Sequence, residues 1–313
     1  MSRIDETTIG QPFTGPPPST ASVPEGGEVG AVQSGWRLAV REFMSNRLAV
    51  VGLAVLLFFV LFSFVGPLLY HSNQTSTDIL NTDAPPGGGH PLGTDDEGLD
   101  VLGRLMKGGQ ASLEIGLLTA LISTVIGTLW GAIAGLVGGI VDAIMMRVVD
   151  VLLAIPFLFI VLIVSVRYGS TVLSLSVVLG VFSWLGSARL VRGEVLTLRV
   201  RDFVSAAKVM GAGQWRLIYR HLIPNALGVV VVNITFQIAN AILAVAALGF
   251  LGFGIQFPQT DWGTQIANSV NEVLNGYWWL VYPVGVCLVG TVIACNLIGD
   301  ALRDAVDVRL RRR

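Results

Sequence analysis

Hydrophobic runs long enough to cross a bilayer, separated by short polar breaks, restrict this chain to a membrane fold. Leu48–Tyr70 contains no Asp, Glu, Lys, Arg or His, and a helix crossing about 30 Å of hydrocarbon needs about 20 mostly apolar residues. Ile115–Val141 is a second such run. Val151–Val166 becomes a third if its start extends back past Arg147 and Asp150. Tyr168–Ala188 is a fourth, divided from the third only by the turn around Arg167–Thr171. Asn225–Phe253 and Tyr277–Gly299 complete a set of six. Composition agrees, with 53% hydrophobic and 13% charged residues and a mean hydropathy of +0.70, against about 25% charged in an ordinary soluble domain. The expected fold class is an all-α polytopic membrane protein with six transmembrane helices.

Lys and Arg set the expected orientation, because cytoplasmic loops retain positive charge. Arg37, Arg41 and Arg47 precede the first run. Arg189, Arg192, Arg199, Arg201, Lys208, Arg216 and Arg220 lie between the fourth and fifth, and Arg303, Arg309, Arg311, Arg312 and Arg313 follow the sixth. The first outer loop has Arg104 and Lys107 against Asp78, Asp83, Asp95, Asp96, Glu97 and Asp100, and the last outer loop has neither Lys nor Arg. Both termini are therefore expected in the cytoplasm. The implied layout is a Pro- and Gly-rich disordered tail over 1–35, an elbow over 36–47, a first span over 48–70, an extracytoplasmic loop over 71–110, a core of five spans over 111–299 and a cytoplasmic tail over 300–313. Within the core, 189–224 forms a cytoplasmic loop and 254–276 an outer one. In the elbow, Trp36, Val40 and Phe43 at helical spacing beside Arg37 and Arg41 suit a short interfacial helix; the same pattern also suits a plain cytoplasmic start to the first span.

Absences narrow the function. A phosphate-cradling loop needs glycines followed by Lys and then Ser or Thr, but Lys107 is followed by Gly108 and Lys208 by Val209. There is no G-x-S-x-G elbow and no His-Glu-x-x-His pair, so no enzymatic chemistry is expected. Cys287 and Cys295 are eight residues apart, about 12 Å along one helix, too far to bridge. His71, His90 and His221 lack ligand spacing, and no metal site is expected. The centres of all six runs lack Asp, Glu, His, Lys and Arg, leaving a proton relay without a carrier and favouring an external drive.

The polar interruption Phe203–Pro224 offers a handle for that drive. Phe203–Met210 reads as a short helix stopped by Gly211, and Gln214–Ile223 as a second that stops at Pro224. Small Ala206 and Ala207 allow close approach of a partner; Phe203, Val209, Met210 and Trp215 can fill its groove, with Arg199, Arg201, Arg216 and Arg220 around the rim, a composition favoured in interface cores. Taken alone, this also describes an ordinary amphipathic connection. Two further patterns stand out. Gly127, Gly131, Gly135 and Gly139 recur every four residues and would let a helix pack closely, either from another subunit or from this one. Asn233, Gln237 and Asn240 share a helical face and can either line a translocation path without fixing a charge or tie helices together.

Phe203–Asn225 resembles the EAA loop of ATP-binding-cassette importer permeases of the oligopeptide, dipeptide and nickel branch. Ala206, Ala207, Gly211 and Pro224 match, Ser205 stands where a Glu is usual, and the run ends His221-Leu-Ile-Pro-Asn225. The segments His90–Arg104, Asp150–Pro156, Leu248–Gly254 with Pro258 and Trp262-Gly263, and Asn296–Asp304 are similar to other blocks of the C-type subunit of this branch. The resemblance covers roughly Trp36–Leu310. It implies the type I importer permease fold and alternating access, with Phe203, Ser205, Ala206, Ala207, Met210, Gly211, Trp215, Arg216 and Pro224 coupling to a separate ATPase. It also implies a second homologous permease subunit, one or two cytoplasmic ATPases that bind the ATP and Mg, an extracytoplasmic binding protein, a lipid surround in the bacterial cytoplasmic membrane, and no nucleic acid or cofactor on this chain. Its substrates are di- or oligopeptides, with nickel chelates, glutathione or haem as alternatives. A proton-coupled carrier and a non-transporting scaffold are the rivals from other classes.

Overall fold

A computed structural model describes residues 35–72, 74–168 and 170–311; the tail read as disordered over 1–35 lies outside them except for Gly35, which opens the first helix. Helix α1 (Gly35–Ser45) is separated from α2 (Arg47–Phe64) by Asn46, whose Oδ1 accepts hydrogen bonds from the N–H groups of Leu48 and Ala49. Such a cap satisfies donors that a helix start leaves without partners. Following α2, Val65 and Pro67 break the run into a single turn, α3 (Gly66–Leu69), so the first span is shorter than Leu48–Tyr70. Ordered loop structure then runs to Asp100, which caps the next helix by accepting from Gly103 N–H at 2.8 Å.

Helix α4 (Val101–Val137) has 37 residues, about 55 Å at 1.5 Å per residue. It begins well inside the loop expected over 71–110. Arg104 and Lys107 made that stretch look like loop, yet Leu105, Met106, Gly108 and Gly109 of the same turns are buried. Gly138, at φ 68°, ends α4, and Gly139, at φ 59°, begins α5 (Gly139–Leu153). Helix α6 (Phe157–Tyr168) leaves α5 at 78°. The segment expected as a third span through Val151–Val166 is therefore a bent pair of helices and not a single one. Pro156 supplies the cause, since it has no N–H to donate and its ring clashes with the preceding turn.

Helix α7 (Val172–Leu198) starts on a capping box between Thr171 and Ser174 and continues ten residues past Ala188. After it come α8 (Asp202–Val209), α9 (Gln214–Leu217), a π turn over Ile218–Leu222 and α10 (Ile223–Phe250). Pro224 does not stop a helix here, as the sequence reading had it. It sits in the first turn of α10, and the π turn, in which Ile223 N–H donates to the Ile218 carbonyl, carries the helix past it. A five-residue hydrogen-bond step relieves the crowding that Pro imposes on an α ladder. Helix α11 (Trp262–Ser269) folds within the loop that follows, and α12 (Tyr282–Arg311) carries on into the stretch read as a tail over 300–313, of which 312 and 313 lie outside the described residues. Buried Ala301 and Ala305 continue the face of Ala294 and Ile298, so packing holds the helix beyond the apolar run. Among the described residues five helical runs are long and apolar enough to cross a membrane, or six if the bent α5–α6 pair counts as one span.

Close glycine approaches assemble these helices. A β-carbon on Gly127 would lie 2.5 Å from Ser187 Cβ, one on Gly131 2.8 Å from Arg192 N, and one on Gly135 2.8 Å from Val195 Cγ1. All three lie against α7 of the same chain. Gly139 is not in the row. It opens α5 at positive φ with nothing within 4 Å of its missing β-carbon, because α4 ended one residue earlier. Arg192 grips Asp142 through Nε and a terminal nitrogen at 2.5 and 2.7 Å, and Arg189 pairs with Asp150, which ties α5 across α7.

The loop before α4 is held by buried polar contacts. Asp95 Oδ1 accepts from Leu99 N–H at 2.7 Å and Glu97 N–H at 3.1 Å. Burial, opposed by the Leu99 bond and by Arg104, pushes the Asp95 carboxyl up to about 6, and burial with Glu272 and Asp96 raises Asp83 as well. Both carboxyls bind protons more tightly folded than unfolded, where the value is about 3.9. Loop stability is then greatest at low pH and falls as pH rises through about 6. Hydrogen exchange corrected for intrinsic rates should show residues 78–99 better protected at pH 5 than at pH 7.5; equal protection would mean the two carboxyls titrate normally.

Candidate functional site

The segment between α7 and α10 carries an exposed apolar face on a buried stem. In α8, Val204 and Ala207 point inward, joining Val191, Val195, Leu217, Ile218 and Leu222 in one core. Gly211, at φ 81°, ends α8 in a left-handed turn where Ala212 N–H donates to the Ala207 carbonyl and Gly211 N–H to that of Lys208. These two bonds satisfy the last carbonyls of the helix. The outward face holds Phe203, Ser205, Ala206, Val209 and Met210, the last two 89% and 80% exposed. Across the turn, Trp215 stacks on Tyr219 with ring centroids 6.0 Å apart, and both rings are exposed. Arg201, Arg216 and Arg220 border this patch.

Two expected members of the patch lie elsewhere. Ala207 is 2% exposed and packs into its own chain, because α8 needs its i and i+3 positions to seat on α7 and α10. Arg199 donates to the Gly135 carbonyl at 3.0 Å and so caps the end of α4 rather than rimming the patch. Tyr219 was overlooked, although its place four residues after Trp215 on a helix was a readable signal.

A second polar locus lies halfway along α10. Asn233 Nδ2 donates to Ser187 Oγ at 2.7 Å; Gln237 Nε2 reaches Ser187 Oγ at 3.1 Å, the Ser183 carbonyl at 3.0 Å and Ser123 Oγ at 3.3 Å. Asn240, on the same face, is exposed and makes none of these bonds. The amide row thus joins α10 to α7 and α4, through serines that sequence reading passed over despite the i, i+4 spacing of Ser183 and Ser187. Gln237 also borders a cavity of about 320 Å³ whose other walls include Leu152, Ile155, Pro156 and Phe157 at the α5–α6 break and Phe182 and Ser183 of α7. Irregular backbone at membrane depth is tolerated where it is buried in protein or lines a water-filled cavity. Here the break at Pro156 lines the cavity.

At the opposite end of the bundle from α8, α11 closes the loop after α10. Trp262 is fully buried, with Nε1 donating to the Leu105 carbonyl at 3.1 Å, and Asp261 accepts from Ile255 N–H, Thr264 N–H and Thr264 Oγ1. Among the described residues no group of three or more His, Cys, Asp or Glu could hold a metal ion.

The sequence is similar to known proteins over most of its length. Residues 127–312 match the family described as binding-protein-dependent transport system inner membrane component. The chain belongs to this family. Residues 34–86 match the N-terminal transmembrane domain of oligopeptide transport permease C. The oligopeptide transport system permease protein OppC of Salmonella typhimurium is 43% identical, with 88% of this chain and 92% of that protein aligned. OppC of Bacillus subtilis is 36% identical over 88% and 90%, and the dipeptide transport system permease protein DppC of Bacillus subtilis 37% over 88% and 86%. As a binding-protein-dependent inner membrane component, the chain is a multi-pass protein of the bacterial cytoplasmic membrane.

Proposed function

We propose that this chain is the permease subunit of an ATP-driven importer that moves di- or oligopeptides into the cytoplasm by alternating access. The observation that carries the reading is the α8–α9 patch: an apolar and aromatic surface too exposed for a finished protein face, fixed on a buried stem and continuous with the helix that holds Gln237. Its natural occupant is an ATPase subunit, which binds ATP and Mg. The excess of Lys and Arg around this patch and near both ends supports a cytoplasmic side for them. A second homologous permease subunit completes the path, and an extracytoplasmic binding protein delivers the peptide. Closure of the ATPases on ATP displaces α8 and, through the π turn, α10, so the mid-membrane cavity changes its access. Such a shift requires the patch to fit the two ATPase states unequally.

Reconstitution of the complex in proteoliposomes tests this. Peptide-loaded binding protein should stimulate ATP hydrolysis and ATP-dependent uptake; uptake driven equally by a proton gradient without ATP would reject the reading. Within it, Gln237 is a path residue as well as a tie between helices. Gln237→Leu should lower uptake at least tenfold, while its lost interhelical bonds, about 0.6 kcal/mol each, leave assembly intact. Asn240→Leu should lower uptake and leave the thermal midpoint unchanged. Normal uptake by both variants in an intact complex would remove the path assignment.

A further inference from the structure

The loop end of the molecule holds a second cavity, of about 280 Å³, which the amide row and the α8 patch leave unexplained. One face of α4 lines it: Arg104, Lys107 one turn on, and Glu114 two turns beyond that, with Gln110 between them. Gln74 and Gln259 close its sides. Arg104 is the unusual member. It is only 7% exposed, yet its Nε has no hydrogen-bond partner among the described residues. Its terminal nitrogen makes one long bond, 3.5 Å, to the Pro258 carbonyl; its guanidinium lies 5.8 Å from the centre of the Phe257 ring, and Nε forms a loose ion pair with Asp95 at 3.8 Å, too long for a hydrogen bond, so Asp95 offsets its charge without filling its donors. A buried guanidinium presents five donors in a planar fork that suits a carboxylate held by two parallel bonds, and buried donors left without partners are costly.

We infer that this pocket receives the carboxylate terminus of the transported peptide, held by Arg104 and Lys107. The inference rests on the importer reading above and adds a binding step at the mouth, before the mid-membrane cavity. Glu114, at the far end of the same helical face, repels the carboxylate and attracts the peptide ammonium, so the peptide enters with a fixed polarity. Amide side chains from Gln74, Gln110 and Gln259 can exchange hydrogen bonds with any peptide main chain, so the pocket selects a free carboxylate without selecting side chains.

The test uses the complete permease–ATPase complex in nanodiscs without binding protein. Radiolabelled trialanine bound to it is displaced by unlabelled trialanine or by its C-terminal amide. The free acid should compete about tenfold better, the size expected for charge-assisted hydrogen bonds, and Arg104→Gln should erase that preference. Arg104 also braces the loop, so Lys107→Gln is the second variant. Lys107 is exposed and its loss leaves the fold intact; the preference should shrink at least threefold. Equal competition by acid and amide in the unaltered complex, or no saturable binding, overturns the inference, as does full preference retained in both variants. Stimulation by loaded binding protein is measured in parallel. If Lys107→Gln weakens it equally for acid and amide peptides, Lys107 docks a protein carboxylate and the peptide site falls. If stimulation is normal while acid and amide compete alike, the pocket fails and the importer reading stands; if stimulation is absent from the unaltered complex, the importer reading fails.

Discussion

Gly131→Leu should prevent the protein from accumulating in the membrane, or lower the thermal midpoint of the purified complex by more than any other single change in α4. The expectation follows from what surrounds the missing side chain. Its first carbon would lie 2.8 Å from Arg192 N, 3.0 Å from Val191 Cβ and nearer still to the Ala188 carbonyl oxygen. Two of these are backbone atoms of α7, which cannot turn aside as a flexible side chain would. Overpacking usually costs about 1–3 kcal/mol because neighbours find other rotamers; here relief requires the two longest-paired helices to separate, and the cost exceeds that range. Separation would also strain Gln237, which bonds to Ser123 of α4 and Ser187 of α7 at once. Gly193→Ala is the matched control. Gly193 lies within α7, the helix that Gly131 of α4 packs against, has nothing within 4 Å of its missing β-carbon, and Ala is favoured over Gly inside a helix by about 0.5–1 kcal/mol. Opposite signs from the two substitutions, read as thermal midpoints in detergent, support the packing account; a Gly131→Leu complex that melts like the unaltered one would refute it.

Trp215→Ala should weaken capture of the ATPase subunit about 30-fold while leaving the chain inserted and folded. Buried aromatic anchors at interfaces commonly contribute about 2 kcal/mol or more, and every 1.4 kcal/mol is a factor of ten. The ring is exposed in this chain and touches little of it beyond Tyr219, so its removal spares the core. Val209→Asp and Met210→Asp should act alike. Ala207→Asp is different: its site is sealed among Val195, Val204 and Leu222, and a carboxylate there damages folding before it can report on docking. Co-purification of the ATPase with each variant, alongside the variant's own yield, separates the two effects. Undiminished capture by Trp215→Ala and Met210→Asp would mean that the ATPase docks elsewhere.

What was legible in the sequence followed from periodicity and charge, and what was not depended on neighbours. The apolar runs placed α2, α7, α10 and α12 because lipid and core both demand hydrophobic length. The repeat at Gly127, Gly131 and Gly135 showed a close-packing face but could not name α7 as its occupant, since a four-residue spacing marks a side of a helix and nothing beyond it. Gly139 kept the spacing and lost the meaning when Gly138 turned left-handed. Pro156 and Pro224 show the limit of local rules. The first bends its segment by 78°, as its chemistry would suggest, and the second is accommodated in a continuous helix. Buried Ala301 and Ala305 were readable at i and i+4, but the arginines around them outweighed that signal.

The coupling patch was legible as an interruption in apolar sequence, and its residues were found in the main. Which of them face outward was not, because Ala206 and Ala207 are chemically the same and only the seating of α8 tells them apart. The serines that meet Asn233 and Gln237 lie 46 to 114 residues away along the chain, and no pattern around α10 points to them.

The π turn at Ile218–Leu222 also fixes an azimuth. It accommodates one residue more than the α-helical ladder would, and one residue is about 100° of rotation. The direction in which Gln237 and Asn240 point relative to Trp215 is therefore set by this insertion as much as by the side chains themselves. Were the turn to tighten into ordinary α-helix during the transport cycle, the polar stripe of α10 would swing by about a quarter-turn around its own axis while the ends of the helix stayed in place.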